Sequence, residues 1–219
     1  MRFVQNSNLP EGPVRLCAVG ERYGMLIAAL EARGIACLRV PEYPGLPAPV
    51  ACHADLQLCH LGGARIAVAA GRGREGLLEA LRKRGFSVEA AGPLTPDYPG
   101  DVPLNCAVVG KVCIGGKDKI DKIITNYCGE VGITLVPVNQ GYAKCSVCAV
   151  DERSIITQDP SIAQAAKRHG LNVLKIQAGR ILLPGYDTGF IGGCSGLLGR
   201  KLLAFTGSSG RRTDQGIFT

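Results

Sequence analysis

The spacing of apolar residues along the chain changes in a regular order. Residues 14–19 form an apolar run typical of a strand, and residues 22–33 carry apolar side chains every three or four positions, which predicts a helix. Gly34 ends that helix, and residues 35–40 predict a second strand. The first part of the chain therefore predicts a strand, a helix and a returning strand.

The same order recurs along the rest of the chain. Strand, helix and strand are predicted at 65–69, 75–84 and 86–90, at 111–114, 118–128 and 133–136, and at 154–157, 160–169 and 171–176. A fifth copy begins with a strand at 201–205, and a further short strand is predicted before the later copies, at 55–59, 106–109, 145–150 and from residue 190 onward. Successive copies are about 45 to 50 residues apart, a spacing typical of repeat proteins.

A unit of this kind buries its apolar face only against its neighbours, so the units are expected to surround a common axis. The predicted fold class is α/β, with about five ββαβ repeats of which the last is incomplete. Residues 1–207 are expected to form a single domain. After Phe205 the chain is polar and rich in glycine, which predicts a flexible C-terminal tail over residues 208–219.

Composition and charge narrow the class of protein. The 219 residues are 46% hydrophobic and 20% charged, which is typical of a globular protein. No apolar run is long enough to span a bilayer and the N-terminus lacks the apolar core of a secretory signal, so we expect a cytoplasmic protein with no membrane partner. The net charge is +7, but the basic residues are scattered and Trp is absent, which argues against a nucleic-acid partner. We expect a small-molecule ligand and no cofactor, and the oligomeric state stays open.

The ten cysteines have two interpretations. Most lie inside apolar runs, as Cys17, Cys59 and Cys113 do, where a free thiol packs as a small hydrophobic group. Cys145 and Cys148 form a Cys-x-x-Cys motif, but one such pair supplies only half of a zinc site. We therefore expect no metal site.

One combination of residues predicts nucleophilic chemistry. His53 and Asp55 come just before a predicted strand, and Cys194 follows Gly192 and Gly193. A cysteine acts as a thiolate, and a nearby imidazole favours that form. In an extended segment the carboxylate of Asp55 would face the same way as His53, and the two glycines could offer N–H donors. The alternative is that Cys194 is a packed thiol in a glycine-rich turn.

Further polar residues precede the short strands of later units. Asn105, Tyr142 and Lys144 lie at positions roughly corresponding to His53 and would line the mouth of a common axis. They are candidate substrate-binding residues. The alternative is that they satisfy backbone groups in turns.

A different function is indicated by residues 71–76. Gly71, Gly73 and Gly76 match the G-x-G-x-x-G pattern after a strand and at the start of a helix, and Glu89 lies in the next strand, where a ribose-binding acid would be expected. This pattern predicts dinucleotide binding. Against it, the corresponding turn of the first unit is Gly20 to Gly24, and the extra strand before each unit breaks the βαβ order of a parallel sheet.

The repeat plan, with His53-Ala-Asp55 at the start of one unit and a Gly-Gly-Cys motif late in the chain, resembles the pentein family of guanidino-group-modifying enzymes. These include arginine and agmatine deiminases and dimethylarginine hydrolase. The resemblance is more specific, and covers nearly the whole chain, to an uncharacterised bacterial family assigned to that fold. It is carried by the segments Asn8-Leu-Pro-Glu-Gly-Pro, His53-Ala-Asp-Leu-Gln-Leu, Gln140-Gly-Tyr-Ala-Lys-Cys-Ser and Gly189-Phe-Ile-Gly-Gly-Cys-Ser-Gly.

The resemblance implies roles for three residues. Cys194 would attack a guanidinium carbon, His53 would transfer protons and Asp55 would hold the guanidinium group. The deiminases also use an acidic residue from an earlier unit, and the first unit here has no matching motif, so Asp187 is the candidate substitute. The expected function is a hydrolase or an amidinotransferase-like enzyme acting on a guanidine-like molecule. The alternative on the same fold is a non-catalytic small-molecule-binding protein.

Overall fold

The computed structural model describes residues 2–208 and 211–213. Five units follow one another along the chain, and we number them 1 to 5. Unit 1 contains β1 (Leu16–Gly20), α1 (Gly24–Glu31) and β2 (Ala36–Val40). Strands β1 and β2 pair in parallel, and the helix connects them. Unit 1 therefore has the strand–helix–strand core of the repeat without the extra strand.

Units 2, 3 and 4 have the complete plan. Unit 2 contains α2 (Ala54–Gln57), β3 (Leu58–Gly62), β4 (Arg65–Ala70), α3 (Glu75–Lys83) and β5 (Ser87–Pro93). Unit 3 contains β6 (Ala107–Val109), β7 (Val112–Gly116), α4 (Lys122–Val131) and β8 (Thr134–Val138). Unit 4 contains α5 (Ala143–Ser146), β9 (Val147–Asp151), β10 (Ser154–Thr157), α6 (Pro160–Arg168) and β11 (Asn172–Lys175). In each of these units the first strand pairs antiparallel with the second, and the second pairs in parallel with the third.

Unit 5 is shorter. It contains β12 (Ile181–Leu182), β13 (Ser195–Gly199), β14 (Leu202–Phe205), β15 (Gly207–Ser208) and β16 (Arg211–Thr213). Strands β13 and β14 form the antiparallel pair of the repeat, and the described residues after β14 contain no helix. The predicted fold class, α/β with five ββαβ-type units and an incomplete last unit, is confirmed.

The units form a closed ring. Helix α3 packs on β2, α4 on β5, α6 on β8, and β13 on β9, so each unit contacts the next one. The ring closes where the backbone N–H of Val14 donates to the carbonyl of Leu198 at 3.0 Å. The side chain of Leu198 also packs against the apolar cluster of unit 1. Segments far apart in sequence therefore meet around a common axis.

Local sequence explains where the helices begin and end. Asp159 caps α6, because its carboxylate accepts from the N–H of Ile162 at 2.9 Å, and Pro160 occupies the first turn as predicted. Helix α4 begins at Lys122 rather than at residue 118, because Asp118 has a left-handed φ of 57° and Asp121 caps the helix. Gly132 ends α4 with φ 69°.

Three of the predicted short strands are wrong at their start, and the one expected from residue 190 onward begins only at Ser195, after a turn over residues 191–194. Residues 54–57 and 143–146 form single helical turns, and the strands begin only at Leu58 and Val147. This changes the predicted orientation of Asp55. Because His53 caps the turn α2 and Asp55 lies within it, the alternation of an extended segment does not apply to these two side chains.

The expected tail over residues 208–219 lies largely outside the described residues, which omit 209–210 and 214–219. Ser208 belongs to β15, which pairs with β16, and β16 pairs in parallel with β12.

The ten cysteines are free thiols, nine of them buried and Cys37 partly buried. Within the described part of the chain, no helix has the length and apolar character needed to cross a membrane.

Candidate functional site

The hydrogen-bond register shows which residues of the four later units are equivalent. One residue in the first strand of each unit pairs with the same position of the second strand, and we use it as the reference residue of that unit. The four reference residues are Cys59, Ala107, Cys148 and Gly196. Two positions earlier in each unit lies a residue that is completely buried. We call these the Cys194 set: Gln57, Asn105, Ser146 and Cys194.

Two more sets follow from the same register. Four positions before the reference residue lies the Asp55 set: Asp55, Pro103, Lys144 and Gly192. Six positions before it lies the His53 set: His53, Asp101, Tyr142 and Phe190. Tyr142 is thus the equivalent of His53, as expected, whereas Lys144 corresponds to Asp55 and Asn105 to Cys194. Most of the candidate residues occupy equivalent places in different units.

Three units meet at a cluster formed by Asp55, Asn105 and Cys145, which we call the axial cluster. The Sγ of Cys145 lies 3.0 Å from Oδ2 of Asp55 and donates to it. The amide Nδ2 of Asn105 donates to the backbone carbonyl of Asp55 at 2.8 Å and to Sγ of Cys145 at 3.1 Å. The backbone N–H of Cys145 donates to Oδ1 of Asn105 at 3.1 Å. One amide therefore holds both the backbone of Asp55 and the thiol of Cys145.

The carboxylate of Asp55 is incompletely satisfied. The residue is completely buried, and its Oδ1 has no hydrogen-bond partner among the described residues. Buried polar atoms in proteins are nearly always hydrogen-bonded, so an open carboxylate oxygen indicates a place for a donor from a ligand or from water. His53 is also buried, with its ring 6.1 Å from the ring of Tyr23.

A second buried carboxylate lies in the His53 set. The hydroxyl of Tyr142 donates to Oδ2 of Asp101, while Oδ1 of Asp101 has no partner in the described part of the chain. Burial raises the pKa of Asp101, and the hydrogen bond from Tyr142 partly opposes this. Burial and the neighbouring carboxylate raise the pKa of Tyr142. Tyr142 is therefore a hydrogen-bond donor at neutral pH.

Tyr142 also stacks between two aromatic rings. Its ring centroid is 5.9 Å from that of Tyr98 and 6.0 Å from that of Phe190, with interplanar angles of 30° and 25°. Lys119 lies over the ring of Tyr98, with Nζ 4.4 Å from its centroid. Stacked rings beside a carboxylate can accommodate planar cations.

Cys194 has an apolar environment. It packs with Cys148, Ile181 and Ile191, and its Sγ donates to the carbonyl of Ile191 at 3.4 Å. A Cβ on Gly192 would lie 2.2 Å from the carbonyl oxygen of Lys144, so only glycine fits. The turn that carries Cys194 is thus fixed by its packing against unit 4.

The role expected for Gly193 is wrong. Its backbone N–H donates to the carbonyl of Cys145 at 3.0 Å, so it is not open for a developing negative charge. Gly192 lets unit 5 approach unit 4 closely. Lys144 is buried, and its backbone N–H donates to the carbonyl of Asn105 at 3.3 Å. Asp187 is exposed, and no described contact joins it to the axial cluster.

The geometry does not favour dinucleotide binding at residues 71–76. Glu89 is ion-paired with Arg65, with Nε and Oε1 2.7 Å apart. Arg74 is buried, lies over the ring of Tyr43 and donates to Gln57. The antiparallel strand β3 also makes the sheet of unit 2 different from the parallel sheet of a dinucleotide-binding fold.

Metal binding was not expected, and the described residues contain no group of three or more His, Cys, Asp or Glu side chains arranged for a metal ion. The Cys-x-x-Cys pair is divided: Cys145 belongs to the axial cluster, whereas Cys148 packs with Cys194.

Two features of the site were not predicted from the sequence: the contact of Cys145 with Asp55, and the buried carboxylate of Asp101. Aligning the units by their strands gives Asp101 the same place as His53, and that signal was present in the sequence.

A closed ring of ββαβ units with a buried polar cluster where the units meet defines this chain as an α/β repeat protein. The chain matches DUF6873, a family of unknown function, over residues 18–216, and it belongs to that family. No curated protein matches the sequence.

Solved structures of the pentein fold are similar to this chain at low identity. DDAH from Pseudomonas aeruginosa, complexed with citrulline, is 10% identical, with a TM-score of 0.49 over 76% of each chain. An amidinotransferase of the saxitoxin biosynthetic pathway from Microseira wollei is 13% identical, with a TM-score of 0.38 over 79% of this chain and 91% of the other. An inosamine-phosphate amidinotransferase from Streptomyces griseus is 11% identical, with a TM-score of 0.40 over 98% of this chain and 100% of the other.

Proposed function

We propose that the protein binds a small guanidine-like cation at the axial cluster. The observation that carries the proposal is the open Oδ1 of Asp55 on a completely buried carboxylate. A buried carboxylate is costly unless a positive charge or donors accompany it. A planar cation with several N–H groups supplies both. Tyr142 packs against the apolar cluster that contains Cys145, and its partner Asp101 supplies a second buried carboxylate.

The proposed chemistry uses Cys194 and His53. The Sγ of Cys194 forms a bond to the guanidinium carbon, and His53 takes the thiol proton and delivers it to the departing amine as that C–N bond breaks. Water then adds to the same carbon, the C–S bond breaks and the thiol is restored. The overall change is hydrolysis of a guanidine to a urea and an amine. The support is that both residues are buried, and that in the register of the repeat His53 lies two positions before Asp55 and Cys194 two positions after the equivalent of Asp55 in unit 5.

A second candidate function is binding without catalysis. It is favoured by the apolar packing of Cys194, whose thiol donates to a backbone carbonyl as a protonated group would.

A second candidate nucleophile is Cys145, because its Sγ lies 3.0 Å from the carboxylate of Asp55, which could serve as a base. The experiments below separate these three possibilities.

The binding step is tested by calorimetry with methylguanidine and its uncharged analogue methylurea. We expect the wild-type protein to bind methylguanidine, and Asp55→Asn to weaken that binding about tenfold or more, because the variant removes the buried negative charge. Asp151→Asn removes an exposed carboxylate at the end of β9 and is the matched control. Equal affinity of wild type and Asp55→Asn for methylguanidine would contradict the binding proposal.

The chemical step is tested by labelling with 2-chloroacetamidine and mapping the modified cysteine. Cys17 is the internal control, because it is buried in unit 1 and burial raises its thiol pKa to about 12. We expect Cys194 to react faster than Cys17, and His53→Gln to slow that reaction. If Cys145 reacts in its place, Cys145 is the nucleophile; if neither reacts faster than Cys17, the protein binds without catalysis.

A further inference from the structure

A second cavity lies away from the axial cluster. It has a volume of about 540 Å³ and is bounded by the N-terminal segment together with strands and a helix of units 1 and 2. Ligand pockets typically have volumes of 300 to 1,000 Å³. None of the axial-cluster residues lines it, so the two sites are separate.

The interior of this cavity is apolar. Ala18, Ile66 and Leu81, from β1, β4 and α3, line it and belong to one buried cluster. Phe3 and Phe86 meet edge to face on its wall, with centroids 4.9 Å apart. Such a lining favours a hydrocarbon or aromatic body in the ligand.

His60 is the buried polar side chain of the lining. Its Nε2 lies 2.9 Å from the carbonyl of Gly63, and because a carbonyl only accepts, Nε2 carries the proton. Burial lowers the pKa of His60, so the ring is neutral at physiological pH. The deep part of the cavity therefore has no charge to attract a charged group of a ligand.

The charges lie at the rim. Arg2 and Arg15 line the cavity and are exposed, and neither forms an ion pair with a described residue. Glu11 is the acidic residue of the lining and is also exposed. The rim thus carries an excess of positive charge around an apolar interior. This combination complements a molecule with an apolar body and one anionic end.

We propose that this cavity binds a small amphipathic carboxylic acid. The hydrocarbon body lies against β1, β4 and Phe86, and the carboxylate lies at the rim with Arg2 and Arg15. This site is independent of the proposed guanidine site, because it shares no residue with it.

The test compares decanoate with decanol by calorimetry on the full chain. We expect decanoate to bind more tightly than decanol, and its affinity to fall with added salt because the arginines are exposed. Arg15→Gln should lower decanoate affinity about three- to fivefold and leave decanol unchanged. Arg153→Gln, on an exposed turn of unit 4, is the matched control and should change neither.

A variant inside the cavity tests its location. Ala18→Met fills the interior and should lower the affinity for both ligands, and a thermal melt shows whether the variant is folded. If it is not, Leu16→Phe fills the same cavity from β1. Asp55→Asn should leave decanoate binding unchanged, which separates this proposal from the guanidine site. Absence of decanoate binding, no effect of Arg15→Gln, or loss of decanoate binding in Asp55→Asn would each overturn the proposal.

Discussion

The Sγ of Cys145 in unit 4 donates a hydrogen bond to Oδ2 of Asp55 in unit 2, across 90 residues of sequence. Both side chains are buried, at 3% and 0% exposure. The contact depends on the ring, because unit 3 lies between these two units along the chain and contributes Asn105 to the same cluster. A polar network shared by three units holds units 2, 3 and 4 together as well as forming the candidate site.

The first prediction concerns this contact. Cys145→Ala removes the donor and leaves the Asp55 carboxylate with fewer partners, so the free energy of unfolding should fall by about 1 to 3 kcal/mol. Cys145→Ser retains a donor and should recover part of that loss. Chemical denaturation measures both.

The control for the first prediction is Cys37→Ala, because Cys37 is partly buried and no described contact joins its thiol to a carboxylate. That change should cost less than Cys145→Ala. If Cys145→Ser proves no more stable than Cys145→Ala, the hydrogen bond to Asp55 contributes nothing to stability.

The second prediction concerns pH. Burial raises the folded-state pKa of Asp101 above its unfolded value. The folded state therefore holds this proton more readily, and the stability associated with the neutral carboxyl is fully present below the unfolded pKa, about 4, and is lost as pH rises through the folded pKa. Asp101→Asn removes this titration. Its free energy of unfolding, relative to wild type, should increase between pH 4 and pH 7.

Denaturation curves at several pH values in that window measure the effect. A difference between Asp101→Asn and wild type that is constant with pH would show that Asp101 titrates alike in the folded and unfolded protein.

The repeat could be predicted because it depends on local patterns. The change from strand to helix periodicity, the cap at Asp159 and the glycine that ends each helix are all encoded within a few residues. The order of the elements in units 2, 3 and 4 was therefore predicted correctly. The short turns α2 and α5 were missed, because four residues give too little periodicity to separate a helical turn from a strand.

The site was harder to predict, because its contacts join different units. Asp55 was named from its place after His53, but its partner Cys145 was read as half of a Cys-x-x-Cys pair. Nothing local to Cys145 points to a carboxylate that is distant in sequence. The roles proposed for Cys194 and His53 came from a resemblance, and they stay predictions until the labelling experiment is done.

The third prediction concerns dinucleotides. Because Glu89 is engaged by Arg65 and Gly71 packs against Tyr43, residues 71–76 should not bind a ribose and its phosphates. NAD, NADP and FAD at millimolar concentration should leave the melting temperature of the protein unchanged. A melting temperature that rises with one of these ligands, and that no longer rises in Glu89→Gln, would restore the dinucleotide interpretation.

The fourth prediction tests how closely the turn before Cys194 approaches unit 4. A Cβ at Gly192 would lie 2.2 Å from the carbonyl oxygen of Lys144 and 2.4 Å from that of Val147. Both are backbone atoms, which cannot rotate away as a flexible side chain could. Gly192→Ala should therefore lower the free energy of unfolding by at least about 3 kcal/mol.

The matched control for Gly192→Ala is Gly129→Ala in α4, where a Cβ would meet nothing within 4 Å. Alanine is the better helix former, so this change should raise the free energy of unfolding by about 0.5 to 1 kcal/mol. If the two glycine-to-alanine substitutions change the free energy of unfolding in opposite directions, Gly192 is required by contact between units rather than by chain flexibility. If Gly192→Ala is as stable as wild type, units 4 and 5 are not in the close contact that positions Cys194, and the catalytic proposal loses its structural basis.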